Sequence, residues 1–209
     1  MILESLTLGP IMANCYILGC ERTKTAVVID PGDEADRILR ALAKFQLTLK
    51  YILNTHGHFD HVGANNPLKR ATDADILIHA SDAPMLADLS AMAISMGMIL
   101  ENSPPPDRTL TDGDIISFGD IELTVIHTPG HSPGGVAFYT DHMVFAGDTL
   151  FAGSVGRTDF PGGDFDQLKR SIQQKLFVLG DEVVVYPGHM GKTTIGMEKK
   201  YNPFVGLRG

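Results

Sequence analysis

Short apolar stretches separated by turn residues run along the whole chain, and their spacing predicts strands and helices in alternation. Residues 2–8, 15–18 and 26–29 are short and rich in the residue types that favour strands. Asp30-Pro31-Gly32 predicts a turn, and apolar residues then recur at helical spacing over residues 35–45. The chain is therefore expected to start with three strands and a helix.

The remaining elements fall into two groups of strands, each followed by helices. Further strands are predicted at residues 49–53, 76–79, 115–118, 121–126, 135–139, 143–145 and 183–186. Further helices are predicted near residues 62–71, 81–100, 165–176 and 194–200. Because no linker separates the groups, we expect one domain over residues 1–209, with two sheets packed together and helices outside.

The composition favours a globular protein and argues against some classes of partner. The chain has 209 residues, of which 44% are hydrophobic and 20% charged, so that it can bury a core. A net charge of −8 argues against a nucleic-acid binder. The sequence shows neither a secretory signal pattern nor an apolar run long enough to span a bilayer. Cys15 and Cys20 are too few for a disulfide framework, which favours a cytoplasmic protein. From the charge and the lengths of the apolar runs, we expect neither nucleic-acid nor membrane partners.

The segment Thr55-His56-Gly57-His58-Phe59-Asp60-His61 carries the sharpest chemical signal. Residues two apart on a helix do not face each other, so His56 and His58 cannot share a helical metal-binding face. They can converge from a strand end or a tight loop, and the strand predicted just before them supplies that end. Asp60 and His61 then add two further metal donors one step along the loop.

Three other loops repeat this placement of a donor after a strand. His131 follows the strand that ends near residue 126, Asp148 follows residues 143–145, and His189 follows residues 183–186. Each loop contains glycine, which lets the backbone turn sharply and approach a crowded site. A single loop histidine would be an ordinary surface residue, but three such positions together with the first motif predict one shared site.

The predicted site contains five histidines and two aspartates. They are His56, His58, Asp60, His61, His131, Asp148 and His189. Seven donors suffice for two ions if each ion has three donors of its own and one carboxylate is shared. Imidazole and carboxylate suit zinc, and also iron or manganese, so we predict two divalent metal ions, with Zn²⁺ as the first choice. Two such ions about 3.5–4 Å apart can share a water molecule and lower its pKa toward about 7.

This pattern resembles the metallo-β-lactamase superfamily over nearly the whole chain. Gly147-Asp148-Thr149-Leu150-Phe151, Gly156-Arg157-Thr158-Asp159 and Pro187-Gly188-His189 are similar to the glyoxalase II group, specifically to its short, single-domain bacterial hydroxyacylglutathione hydrolases. The resemblance implies an α/β fold: an αββα sandwich of two mixed β-sheets flanked by helices, with the metals at one edge of the sheets.

The resemblance also implies a role for each site residue. It gives His56, His58 and His131 to the first metal, Asp60, His61 and His189 to the second, and Asp148 to both. The implied reaction is thioester hydrolysis by a hydroxide that bridges the metals, on a small and possibly glutathione-linked substrate. Asp60 would have a catalytic part in orienting this nucleophile, and Arg157 would contact the glutathione part of the substrate.

Several alternatives stay open at this stage. Glutathione persulfide dioxygenases, which use a single iron, share a segment similar to Gly156-Arg157-Thr158-Asp159, and a lactonase or another ester hydrolase would use the same nucleophile. True zinc β-lactamases typically carry Cys where Asp148 stands, which disfavours that activity. A metal-binding module without catalysis is disfavoured because the donor set is complete. Asp159 and Met190 depart from the glyoxalase II pattern, and the sequence does not give the oligomeric state.

Overall fold

The computed structural model describes residues 1–95, 97 and 100–207. Six of the strands within these residues form a first sheet, in which their order follows the chain. They are β1 (Ile2–Leu8), β2 (Ala13–Gly19), β3 (Thr25–Ile29), β4 (Thr48–Leu53), β5 (Asp75–His79) and β6 (Arg108–Leu110). The pairs β1–β2 and β2–β3 are antiparallel, and the remaining pairs are parallel. The first sheet is therefore mixed.

A second mixed sheet is formed by strands from the later part of the chain. Its members are β7 (Ile115–Phe118), β8 (Ile121–His127), β9 (Val136–Thr140), β10 (Met143–Gly147), β13 (Val184–Pro187) and β14 (Thr193–Thr194). Their order is β14-β13-β10-β9-β8-β7, and β10–β13 is the parallel pair among otherwise antiparallel neighbours. β11 (Leu150–Phe151) and β12 (Ser154–Val155) form a short hairpin after β10.

Helices connect the strands of both sheets. They are α1 (Ala35–Lys44), α2 (Phe59–Val62), α3 (Asn65–Thr72), α4 (Leu89–Ser95), α5 (Phe165–Ser171) and α6 (Ile195–Tyr201). A 3₁₀ turn at Ala83–Ala87 precedes α4, and a π-helical turn at Ile172–Leu176 continues α5. Within the described residues, no helix combines the length and the apolar character that crossing a bilayer requires.

The buried side chains form three layers of core, which explains the stacking of the sheets. Successive strand residues point to opposite faces of a sheet. Val27 accordingly packs between the two sheets with Phe138 and Phe145, whereas its neighbour Val28 packs against the helices of the first sheet. Val144 belongs to a third cluster, between the second sheet and α5. The predicted αββα sandwich of two mixed sheets flanked by helices is confirmed.

Two predicted helices differ from the structure. The helix expected near residues 62–71 is α3, which begins three residues later, at Asn65. The shorter α2 precedes it, and the backbone N–H of Ala64 between them donates to the carbonyl of Pro31 (2.9 Å). The helix expected over residues 81–100 is a 3₁₀ turn followed by α4. Residues 96, 98 and 99 of that prediction lie outside the described residues, as do 208 and 209.

Candidate metal centre

The structure brings all seven predicted donors together. Each lies in a segment that begins where a strand ends: His56, His58, Asp60 and His61 after β4, His131 after β8, Asp148 after β10, and His189 after β13. Asp60 and His61 lie on α2, directly after the loop that carries the first two histidines. The strand ends therefore place residues from distant parts of the chain around one point.

His56, His58 and His131 form the first group of donors. One ring nitrogen from each lies within 4.8 Å of the other two, and all three side chains are buried. Nε2 of His131 lies 2.9 Å from Nδ1 of His58. Nδ1 of His131 donates to the carbonyl oxygen of Arg157 (2.7 Å), which leaves Nε2 directed at the group.

Asp60, His61 and His189 form the second group. Oδ2 of Asp60 lies 3.3 Å from Nε2 of His189 and 3.6 Å from Nε2 of His61. The two imidazole nitrogens are 3.2 Å apart. His61 is fully buried, whereas His189 is partly open to a cleft.

The carboxylate of Asp148 lies between the two groups. Oδ1 is 3.5 Å from Nε2 of His61, and Oδ2 is 3.6 Å from Nε2 of His131 and from Nε2 of His189. A Cβ added at Gly188 would lie 2.2 Å from Oδ1 of Asp148, so the close approach of this carboxylate requires glycine there. Asp148 thus has the position that a shared ligand needs.

Two buried atoms of this cluster fit a metal better than they fit the metal-free arrangement. Nε2 of His56 and Oδ1 of Asp148 have no hydrogen-bond partner among the described residues. An unsatisfied buried polar group costs about 1–3 kcal/mol. A divalent cation would satisfy both atoms, and imidazole with carboxylate is the donor set that such ions prefer. The residues present therefore fit a pair of divalent ions.

Burial keeps His56 and His58 of the first group neutral. Burial and the neighbouring imidazoles of His61 and His131 lower the pKa of His56 well below its usual value. Burial and the His131 imidazole lower the pKa of His58 to about 4. A neutral imidazole offers its lone pair to a metal ion, so these two side chains bind without losing a proton at neutral pH.

The second group holds protons where a metal ion would bind. Burial disfavours the charged form of His61, but the charges of Asp148 and Asp60 outweigh it and raise the pKa of His61 to about 10. Burial likewise opposes, but does not prevent, a raised pKa at His189, which is hydrogen-bonded to Asp60. Burial would raise the pKa of Asp60, and the charge of His61 reverses this and lowers it. The carboxylates of Asp60 and Asp148 thus stabilise positive charge at this group.

We expect metal binding at the second group to release protons and to strengthen with pH. A proton on His61 competes with the metal ion at every pH below about 10, so raising the pH removes the competitor. Each proton released makes the apparent affinity rise about tenfold per pH unit. Calorimetric metal titrations at neutral pH, in two buffers of different ionisation enthalpy, count these protons. Binding without proton release, or with affinity that falls as pH rises, would contradict the prediction.

Two buried aspartates outside the predicted set hold the donor loops in place. Asp30 accepts hydrogen bonds from the backbone N–H (2.7 Å) and hydroxyl (2.6 Å) of Thr55, and its Oδ2 lies 3.2 Å from Nδ1 of His61. Such a partner fixes the orientation of a ligating imidazole. Asp82 accepts from the N–H of Gly57 (3.0 Å) and from the hydroxyl of Ser132 (2.7 Å), which joins the two loops of the first donor group.

Arg157, the predicted substrate contact, lines a cleft of about 410 Å³ that opens beside the donors. Its guanidinium makes two hydrogen bonds to the carboxylate of Asp159, each 2.7 Å long. The same group lies 3.9 Å from the ring centroid of Phe160, which in turn contacts His58 edge-on with centroids 5.5 Å apart. The structure therefore places Arg157 near the donors with its charge already paired.

The order of the donors along the chain and the fold both match one protein family. The family model of the metallo-beta-lactamase superfamily matches residues 8–189, a stretch that contains all seven donors. This chain belongs to the metallo-beta-lactamase superfamily. Membership, together with the donor cluster, supports a metal-dependent hydrolase.

Among superfamily members, one from Haemophilus influenzae is named hydroxyacylglutathione hydrolase GloC. It is 37% identical over 209 residues, which cover 98% of each chain. The lengths of the two proteins therefore correspond.

Solved structures of the superfamily resemble the chain over its full length. BLEG-1, described as a B3 metallo-beta-lactamase, has a TM-score of 0.91 at 37% identity and covers 98% of this chain and 99% of its own. TTHA1623 in a di-iron-bound form has a TM-score of 0.89 at 42% identity, covering 96% and 99%. ETHE1 from Myxococcus xanthus has a TM-score of 0.84 at 32% identity, covering 100% and 86%. These similar proteins carry different descriptions, so likeness alone does not select a substrate.

Proposed function

We propose that this chain is a metal-dependent hydrolase that cleaves small thioesters of the hydroxyacylglutathione type in the cytoplasm. The observation that carries the proposal is the convergence of five imidazoles and two carboxylates, with Asp148 between the two donor groups. The relative from Haemophilus influenzae, named a hydroxyacylglutathione hydrolase and matched over almost its whole length, supports the substrate class.

The proposed ligand roles follow the two donor groups. His56, His58 and His131 hold the first ion, Asp60, His61 and His189 hold the second, and Asp148 is shared. When bound, such ions lower the pKa of water toward about 7 and polarise a carbonyl oxygen. We propose Zn²⁺ as the first choice because it suits these donors. Iron is the second choice because a similar protein is described in a di-iron-bound form, and manganese is the third.

Residues of the chain orient the reactants. Asp60 lines the cleft, and its carboxylate would stay ionised beside a bound cation. There it accepts a hydrogen bond from the attacking water and directs a lone pair at the thioester carbon. Arg157 lies at the same cleft, and we propose that it contacts the thiol part of the substrate. Phe59 and Phe160 exclude bulk water from the reacting group.

A direct assay tests this function. The protein is loaded separately with Zn²⁺, Fe²⁺ and Mn²⁺ and given S-lactoylglutathione and simple acyl thioesters, with thiol release as the readout. We expect turnover in at least one metal form and its loss after chelation. A folded, metal-loaded protein that leaves every thioester intact would overturn the proposal.

A glutathione persulfide dioxygenase is the second candidate. The segment Gly156-Arg157-Thr158-Asp159, which is similar to one in those enzymes, favours it. Oxygen uptake with glutathione persulfide, at about one iron per chain, would support this activity. Lactones and a cephalosporin belong in the same panel, because BLEG-1 is described as a β-lactamase.

A further inference from the structure

The cleft beside the donors is lined largely by hydrocarbon. Its apolar walls, among the described residues, are Ile11, Phe59, Phe151, Phe160 and Met190. Phe59 and Phe151 are buried, whereas Ile11 and Met190 lie at the rim, 38% and 63% exposed. A volume of about 410 Å³ is within the usual range for small-molecule sites, which are mostly apolar with a few polar groups.

Aromatic rings stand at both ends of the donor cluster. The ring of Phe160 lies 5.5 Å from the ring of His58 in the first group, and the ring of Phe151 lies 6.2 Å from that of His189 in the second. Both pairs are close to perpendicular, at 84° and 88°. A hydrocarbon chain attached to a carbonyl held at the donors would therefore lie against apolar surface in either direction.

The cleft has one charged side chain outside the donor cluster, among the described residues that line it, and this is Arg157. Its guanidinium donates two hydrogen bonds to the carboxylate of Asp159, so its charge is paired. Apart from Ser154, the other side chains of the lining outside the donor cluster are hydrocarbon or thioether, and they favour an apolar part of the substrate.

We infer that the preferred substrate is a thioester with a hydrocarbon acyl chain, and that this chain packs in the cleft against Phe151 and Met190. The inference rests on the proposed thioester hydrolysis and specifies its substrate. In that reaction water adds to the acyl carbon and the carbon–sulfur bond breaks, which yields a carboxylic acid and a thiol. Each methylene buried in the cleft raises kcat/KM about fourfold.

A series of acyl thioesters tests the inference on the metal-loaded protein. Acetyl, butanoyl, hexanoyl and octanoyl groups are compared on glutathione and on the uncharged thiol N-acetylcysteamine. We expect kcat/KM to rise about fourfold per methylene on both thiols until the cleft is filled. The Phe151→Ala variant removes one wall and flattens this rise. Met190→Gly removes another without backbone strain, because Met190 has a left-handed φ of 68° that glycine adopts freely.

The control variant is Ile115→Ala, which shortens a half-exposed aliphatic side chain on β7, at the far edge of the second sheet, and keeps the full rise. Binding of uncharged alkyl thioethers supplies a readout without turnover: it tightens with chain length, and its heat-capacity change becomes more negative.

The outcomes separate the two proposals. Hydrolysis that is independent of acyl length on both thiols overturns the inference and leaves the proposed function intact. If no thioester is hydrolysed, the proposed function is overturned, and the binding of the thioether series then tests the inference alone. Wild-type binding that does not change with chain length rejects the inference. Wild-type binding that tightens with chain length, with this dependence lost in Met190→Gly, supports an apolar ligand in the cleft.

Discussion

Replacing Asp148 with asparagine is expected to leave fewer than two metal ions per chain and to lower kcat/KM by more than about a hundredfold, the upper range for losing an outer-sphere partner of a metal ligand. Asparagine has nearly the same shape but no charge. The carboxylate lies 3.5 Å from Nε2 of His61 and 3.6 Å from Nε2 of both His131 and His189, so its charge acts on both donor groups. Metal content by mass spectrometry and thioester turnover measure the two effects.

The same chemical change at Asp73 is the matched control. Its side chain is fully exposed at the end of α3, and its φ of 56° is one that asparagine tolerates well. We expect Asp73→Asn to keep both ions and wild-type turnover. An Asp148→Asn variant with two tightly held ions and normal turnover would show that the carboxylate is not a shared ligand.

The donors could be predicted from the sequence because their signal is local. His56 and His58 are two residues apart just after a strand, and His131 and His189 repeat a strand, a glycine and a donor. Strand ends that meet at one edge of a sheet convert this local pattern into one cluster. The overall sandwich was predictable for the same reason, since strands such as β3 are apolar after their first residue and must be buried on both faces.

The supporting contacts could not be predicted because they join distant residues. Asp30 was interpreted as part of a turn, yet it orients His61, which is 31 residues away. Its left-handed φ of 51° could not be predicted from the pattern of apolar and polar residues. Asp82 joins loops that are 25 and 50 residues away from it. Their one local signal is an aspartate within a few residues of a strand end, which many surface loops share.

Short elements escaped prediction for a different reason. β6 has three residues, and β11, β12 and β14 have two each, too few to show an alternating pattern. Their positions depend on neighbouring strands. The hairpin of β11 and β12 nevertheless matters for the site, because Phe151 and Ser154 both line the cleft.

Gly156→Ala is expected to lower the free energy of unfolding by about 3 kcal/mol, the upper end of the usual cost of overpacking, and to weaken metal retention. A Cβ at this position would lie 1.8 Å from the carbonyl oxygen of Asp148 and 3.1 Å from Nδ1 of His131. Because the first contact is with backbone, no rotamer change relieves it. The loop must move, and it carries Asp148 and the carbonyl of Arg157 that orients His131.

Gly191→Ala is the control for Gly156→Ala, because it makes the same substitution two residues beyond His189. No heavy atom lies within 4 Å of its added Cβ, and its φ is outside the left-handed region, so we expect a change within about 0.5 kcal/mol. Chemical denaturation and metal analysis of both variants compare the two positions. Equal stability and equal metal content would mean that the loop around Gly156 yields without disturbing the donors, and that the site tolerates more backbone movement than its close contacts imply.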